Sequence, residues 1–213
     1  MCNLQVHHLG TQEYSSVFAS MQEFTNKRTQ ETVDEFWCVQ HPPVFTLGAN
    51  ADIQHIHTAS EITIIKSDRG GEVTYHGPGQ AIIYLLVDLR RKSIGVKKLV
   101  QCIEQSVIEL LDTYGISSES RTDAHGVYIE GVKIASLGLR VRGGCSYHGV
   151  ALNVDMDLNP FSLINPCGFS GLKVTQLNDH GVKTNCQKIQ KELVELLCIK
   201  LNYKIDEVTD HGQ

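Results

Sequence analysis

GVYIEGVKIASLGLRV, residues 126–141, reads as two apolar-patterned strands that turn back on each other near Glu130-Gly131. A further strand, SYHGVALNVDM at 146–156, follows at once. Working outward, QAIIYLLVDL at 80–89 is a long apolar run and reads as a buried strand, while EITIIKS at 61–67 is β-branched and strand-like. EFWCVQH at 35–41 reads as a strand stopped by Pro42 and Pro43, and VFTLG at 44–48 as a second, short one. Helical spacing interrupts this series three times. Thr11 is positioned to cap a helix over 12–28, with Tyr14, Val17, Phe18, Met21 and Phe24 along one face. Ser93 to Gly115 carries an apolar stripe from Val96 through Leu99, Ile103 and Val107 to Leu111, and Gly115 stands where a left-handed terminator belongs. The last helix runs from Cys186 to Leu201, with Ile189, Leu193, Leu196 and Leu197 inward. Strands outnumber helices and hairpins interleave with them. This predicts an α/β fold of the α+β type, a mixed and largely antiparallel sheet flanked by helices. No repeat or linker breaks the chain, so 1–213 reads as one domain, with a small C-terminal lobe after about residue 170 as the alternative division.

The chain has 213 residues, 41% of them hydrophobic and 20% charged, with a formal net charge of -5. That balance suits a globular protein with its own core and argues against a sequence-independent nucleic-acid binder. Seven cysteines (Cys2, Cys38, Cys102, Cys145, Cys167, Cys186, Cys198) are odd in number and irregular in spacing, without a CxxC. They predict free thiols rather than a disulfide framework or a zinc site, and hence a reducing, cytoplasmic setting. The start, MCNLQVHHLG, lacks the basic and apolar regions of a secretory signal, and no apolar run has the length of a membrane span.

Four segments could carry chemistry. RGGEVTYHGPGQ, 69–80, packs five Gly and Pro positions into twelve residues beside Arg69, Thr74, Tyr75, His76 and Gln80. It reads as a ligand-wrapping loop or as a tight turn before the strand at 81. It is neither a Walker loop nor GxGxxG. EGVKIASLG, 130–138, sets Lys133 in an apolar strand, where simple alternation groups it with Ala135 and Leu137 and opposite Ser136. Most strand lysines face solvent, but one facing a thiol in a cleft would stabilise the thiolate. RGGCSYHGVALN, 142–153, offers Cys145 and His148 on opposite strand faces, which argues for a structural Cys145 and leaves His148 and Gly149 to line a site. NPCGFSG, 165–171, holds Cys167 on a turn, either as a presented nucleophile near free backbone N–H groups or as a buried free thiol.

Other signals fail. His55 and His57 imply no third ligand, and the apparent EF-hand start at Asp155, Asp157 and Asn159 puts Pro160 where glycine is required. No GxSxG occurs. Arg90, Arg91, Lys92, Lys97 and Lys98 form a basic cluster that reads as a solvated helix start or as a docking patch for an acidic partner.

Taken in order, RGGEVTYHGPGQ, KIASLG, GCSYHGVALN and NPCG resemble the octanoyl-[acyl carrier protein]:protein N-octanoyltransferases, the lipoyl(octanoyl) transferase family, over about residues 35–177. The resemblance implies a fold similar to the biotin and lipoate protein ligases. It implies an acyl-thioester on Cys167, activated by Lys133. It implies a substrate site lined by Arg69, Gly70, Gly71, Glu72, Val73, Thr74, Tyr75 and His76, by Ser136, Leu137 and Gly138, and by Gly149, Val150 and Ala151. Gly138 and Ala151 would leave room for the acyl chain. The expected donor is octanoyl-acyl carrier protein. The expected acceptors are lipoyl domains of 2-oxoacid dehydrogenase complexes and the glycine-cleavage H protein, with no metal, cofactor, nucleic acid or membrane involved. An ATP-dependent ligase, a cysteine amidotransferase and a non-catalytic carrier-binding module are the rival readings.

Overall fold

The computed structural model describes residues 2–51, 61–122, 124–164 and 173–210. In chain order the strands and helices are β1 (Cys2–Thr11), α1 (Tyr14–Lys27), β2 (Asp34–Gln40), β3 (Val44–Leu47), β4 (Thr63–Lys66), β5 (Val73–His76), β6 (Gln80–Leu86), α2 (Val96–Thr113), β7 (Glu119–Ser120), β8 (Gly126–Ile129), β9 (Val132–Arg142), β10 (Cys145–Asn153), α3 (Cys186–Leu201) and β11 (Tyr203–Asp210). Eight strands form one sheet in the order β11-β1-β2-β6-β10-β9-β8-β7, and β4-β3-β5 form a second, smaller sheet. In the large sheet β1 pairs parallel with β11 and β2, and every other pairing is antiparallel. Among the described residues no helix is long and apolar enough to cross a membrane.

β6 shows why its sequence is apolar throughout. Ala81, Ile83 and Leu85 face a core built with α2 and α3, whereas Ile82, Tyr84 and Leu86 pack on the other side with Val17 and Met21 of α1. A strand covered on both faces needs no polar alternation.

Two backbone irregularities position the site. The β8–β9 hairpin turns through Glu130 (φ 49°) and Gly131 (φ 80°), the left-handed pair of a primed two-residue turn. Two residues on, the register slips: Tyr128 pairs with Lys133 but Val127 pairs with Ala135, so Ile134 is bulged out. Lys133 therefore shares a face with Ser136 rather than with Ala135, the reverse of what alternation predicts.

The second irregularity is His148, left-handed at φ 60° within β10. It sets Tyr147 and His148, consecutive residues, against the same carboxylate, Asp68. The same twist brings residue 149 so close to β6 that a Cβ there would lie 2.1 Å from the Ile83 carbonyl oxygen. Only glycine fits.

The sequence reading differs from the structure in three other places. Thr11 ends β1, and α1 starts after Glu13 with no side-chain cap. Val73–His76, read as part of a loop or turn, is a strand antiparallel to β3. The sequence reading also assigns no strand to 2–11 or 203–210, where β1 pairs with the edge strand β11, whose surface is largely exposed and polar.

Candidate functional site

A pocket lies on the α1 face of the large sheet, roofed by the segment that leads into and forms β5. Its floor is made of small residues: Ser136 and Gly138 on β9, facing Ala151 and Gly149 across the β9–β10 ladder. Leu137 and Val150 complete that floor. Lys133 stands on one bank and Ile82 and Tyr84 of β6 on the other. Arg69, Gly71, Glu72, Val73, Thr74 and His76 form the roof, with Tyr14 and His148 at one end. Residues of α1, of 69–76, of β6, of β9 and of β10 thus meet at one cavity. Gly70 and Tyr75 stand outside its walls. The Gly70 N–H donates to the Leu139 carbonyl at 2.9 Å, and Tyr75 packs against Phe45 and Phe161. Cys167, like His55 and His57, lies outside the described residues.

Lys133 is 2% exposed. Its Nζ donates to the His125 carbonyl at 3.3 Å and lies 5.3 Å from the centre of the Tyr128 ring. Gly126 makes this path possible, since a Cβ there would meet Lys133 Cε at 3.0 Å. The bulge at Ile134 turns the side chain inward, and the missing Cβ at 126 lets it lie across β8. Its backbone is held too: its N–H donates to the Lys173 carbonyl at 3.1 Å, and its carbonyl accepts from the Thr175 N–H at 2.9 Å.

A buried chain of carboxamides ties that point to the roof. Asn153 Nδ2 donates to the Thr175 carbonyl at 2.9 Å, and Gln80 Nε2 donates to Asn153 Oδ1 at 2.9 Å. Gln80 Oε1 therefore accepts from His76 Nδ1 at 2.8 Å, which fixes the His76 tautomer. Arg69 is anchored in its turn by Thr46, donating to its carbonyl at 2.7 Å and to its hydroxyl. A Cβ on Gly138 would stand 3.1 Å from Arg69 Cδ. The glycine at 138 thus also lets Arg69 lie close over β9.

At the far bank three imidazoles sit among aromatic rings. His41 Nδ1 donates to the Gln12 carbonyl at 2.6 Å, so its Nε2 accepts from the Tyr84 hydroxyl at 2.7 Å. Burial, opposed by the Gln12 bond, pushes the His41 pKa down to about 4. Burial, reinforced by neighbouring His41, pushes that of His76 down to about 3. Both rings are uncharged in the fold and take up a proton near pH 6.5 once the chain unfolds. The unfolded state therefore binds more protons below that pH. Stability is complete above about pH 6.5 and falls on acidification toward pH 4, by about 1.4 kcal/mol per pH unit for each ring. Urea unfolding at pH 7 and pH 5 should differ by roughly 2–4 kcal/mol; equal midpoints would mean that neither ring is buried uncharged.

Asp68 anchors the end of the site nearest α1. It accepts from His148 Nε2 at 2.9 Å, from the Tyr147 hydroxyl and from Gln22. Partial burial would raise its pKa, but these donors outweigh it and hold the carboxyl down at about 2. Burial lowers the His148 pKa against the pull of that carboxylate. Among the described residues no cluster of His, Cys, Asp and Glu could hold a metal.

Cys145 does not line this pocket; it borders a separate hollow with Arg28, Asp88 and Arg90. Its Sγ lies 3.8 Å from an Arg90 nitrogen, and burial raises its pKa. Much of the basic cluster is internally paired: Arg91 meets buried Asp34 at 2.5 Å, and Arg90 meets Asp88 at 3.4 Å.

The sequence reading missed Tyr14, Ile82 and Tyr84 as walls of the pocket. The even-numbered face of the 80–86 run was the available signal, but a strand apolar on both faces does not tell which side holds a ligand.

A family model described as the lipoyl protein ligase A/B catalytic domain matches residues 13–197. The octanoyltransferase of Dechloromonas aromatica is 54% identical over 199 residues, covering 93% of this chain and 97% of its own length. Among solved structures, a lipoate-protein ligase A bound with ATP superposes with TM-score 0.76 at 14% identity, covering 98% of this chain and 90% of its own. The biotin protein ligase of Aquifex aeolicus does so with TM-score 0.55 at 10% identity, covering 95% and 70%. At these identities the structural likeness speaks for the fold, which is the mixed, largely antiparallel architecture expected.

Proposed function

The chain belongs to the octanoyltransferase family of lipoyl protein ligase A/B catalytic domains, and from that premise we propose that it moves an octanoyl group from the thioester of an acyl carrier protein, through Cys167, to a lysine amine of a lipoyl domain or of the glycine-cleavage H protein. The observation that carries this reading is Lys133. A lysine buried to 2% exposure, turned inward by a bulge and placed beside an apolar pocket, is poorly explained as a surface charge. The chain on either side of Cys167 supports it too. Ile164, three residues before, packs in one cluster with the pocket wall Val73, and Lys173, six residues after, bonds the Lys133 backbone.

In the first half-reaction the Cys167 thiolate, favoured by the Lys133 ammonium, attacks the thioester carbonyl. A carbon–sulfur bond forms to Cys167, the bond to the carrier sulfur breaks, and the departing thiolate takes a proton from Lys133. In the second, the acceptor lysine, freed of its proton by the now neutral Lys133, attacks the Cys167 thioester. An amide forms as its nitrogen gives up a second proton to solvent, Cys167 leaves as thiolate, and Lys133 is again an ammonium. Thioester exchange is close to isoenergetic and aminolysis runs downhill, so no nucleotide is consumed.

The shared fold favours one alternative, adenylation as in an ATP-dependent ligase. The test is intact-protein mass after incubation with octanoyl-acyl carrier protein alone. The expected result is a covalent octanoyl adduct on the enzyme that is lost on adding a lipoyl domain, which gains the group without ATP. Transfer that starts only when ATP is supplied with free octanoate would overturn the proposal in favour of ligation.

A further inference from the structure

The acyl pocket runs across the strands, and its width is readable from the ladders. The Lys133 amine lies over β8, bonded to the His125 carbonyl. The floor crosses β9 and β10, where Ser136 faces Ala151 and Gly138 faces Gly149. The opposite bank is β6, where Ile82 pairs with Ala151 and Tyr84 with Gly149. From β8 to β6 is three inter-strand spacings, about 14 Å. An extended eight-carbon acyl group spans about 9 Å over its seven C–C bonds. The bond to sulfur and the radius of the end methyl bring that to about 13 Å.

We propose that Tyr84, with Ile82 beside it, is the stop that sets the length of the acyl chain, an inference that rests on the octanoyl-transfer reading and names its specificity-determining residue. Tyr84 is buried, and its hydroxyl is committed to His41, whose other nitrogen is committed to the Gln12 carbonyl. The ring is further flanked by His41 at 5.9 Å and His148 at 6.0 Å between centroids. It therefore presents an apolar face to the pocket and cannot swing away without breaking a buried hydrogen bond. A wall fixed in this way rejects extra methylenes more sharply than a mobile aliphatic side chain would.

The test compares octanoyl- and decanoyl-acyl carrier protein as donors to a lipoyl domain, with kcat/KM measured for each on the full chain. For Tyr84→Ala the decanoyl-to-octanoyl ratio should rise at least tenfold over the original chain. Tyr84→Phe, which keeps the ring but loses its bond to His41, should raise the ratio by less than the alanine variant does. If the alanine variant does not fold, as judged by thermal melting, Tyr84→Leu is read in its place with the same rise expected. An unchanged ratio in a folded alanine or leucine variant would overturn the stop while leaving octanoyl transfer intact. An original chain that transfers neither acyl group would overturn the transfer reading itself, and the stop with it.

Discussion

Cys167→Ser is expected to form no thioester and to lose transfer activity by at least about a thousandfold, with the fold unchanged. A serine hydroxyl is isosteric with the thiol but far less acidic, and a nearby ammonium does not bring it into the ionised range at neutral pH. Removing a nucleophile from a two-step path leaves only what binding and orientation contribute. The measurement is the mass of the enzyme after incubation with octanoyl-acyl carrier protein, alongside steady-state transfer. Cys145→Ser is the matched control. That thiol lies at the start of β10 beside Arg90, outside the pocket that Lys133 lines, so its loss should leave the adduct in place. The reverse pattern, with the adduct kept by Cys167→Ser and lost by Cys145→Ser, would move the chemistry to Cys145 and away from the Lys133 pocket.

Lys133→Met should slow transfer by about a hundred- to ten-thousandfold, the range of a lost general acid–base. Methionine keeps most of the buried stem and removes the charge, so the loss would not stem from a cavity. The pH dependence separates a catalytic lysine from a structural one. Without the ammonium, the alkylation rate of Cys167 by iodoacetamide should rise only at higher pH, because the thiolate has lost its stabilising neighbour. Lys133→Arg adds a second reading. Guanidinium still favours the thiolate but does not give up its proton. That variant should therefore keep the alkylation of Cys167 at lower pH while losing transfer, because neither the departing carrier thiolate nor the acceptor amine can exchange a proton with it. If Lys133→Met shifts only the melting temperature and leaves rate and alkylation profile unchanged, the lysine is a packing residue.

Lys133 is placed by a bulge, a glycine and two backbone hydrogen bonds. Cys167 enters through the order of the four motifs, the family to which the chain belongs, and the positions of Ile164 and Lys173 on either side of it.

Much of this protein was legible from local pattern, because local pattern is what a chain shows to water and to a core. The helix from Cys186 to Leu201, the turn at Glu130-Gly131 and the terminator at Gly115 follow from spacing and from the angles glycine tolerates. The order of the glycine-rich, lysine-bearing and cysteine-bearing segments was enough to suggest the family. Other features required the folded chain. Alternation put Lys133 on the wrong face, since a bulge is a two-strand event decided by how β8 and β9 pair. The strained His148 and the obligatory glycine after it arise only where β10 meets β6 and Asp68. Tyr84 was invisible as a pocket wall because both faces of β6 are buried, and apolar character alone cannot distinguish the side that packs a helix from the side that meets a ligand. Sequence set what each segment could become, and the pairing of distant strands decided which side chains share a cavity.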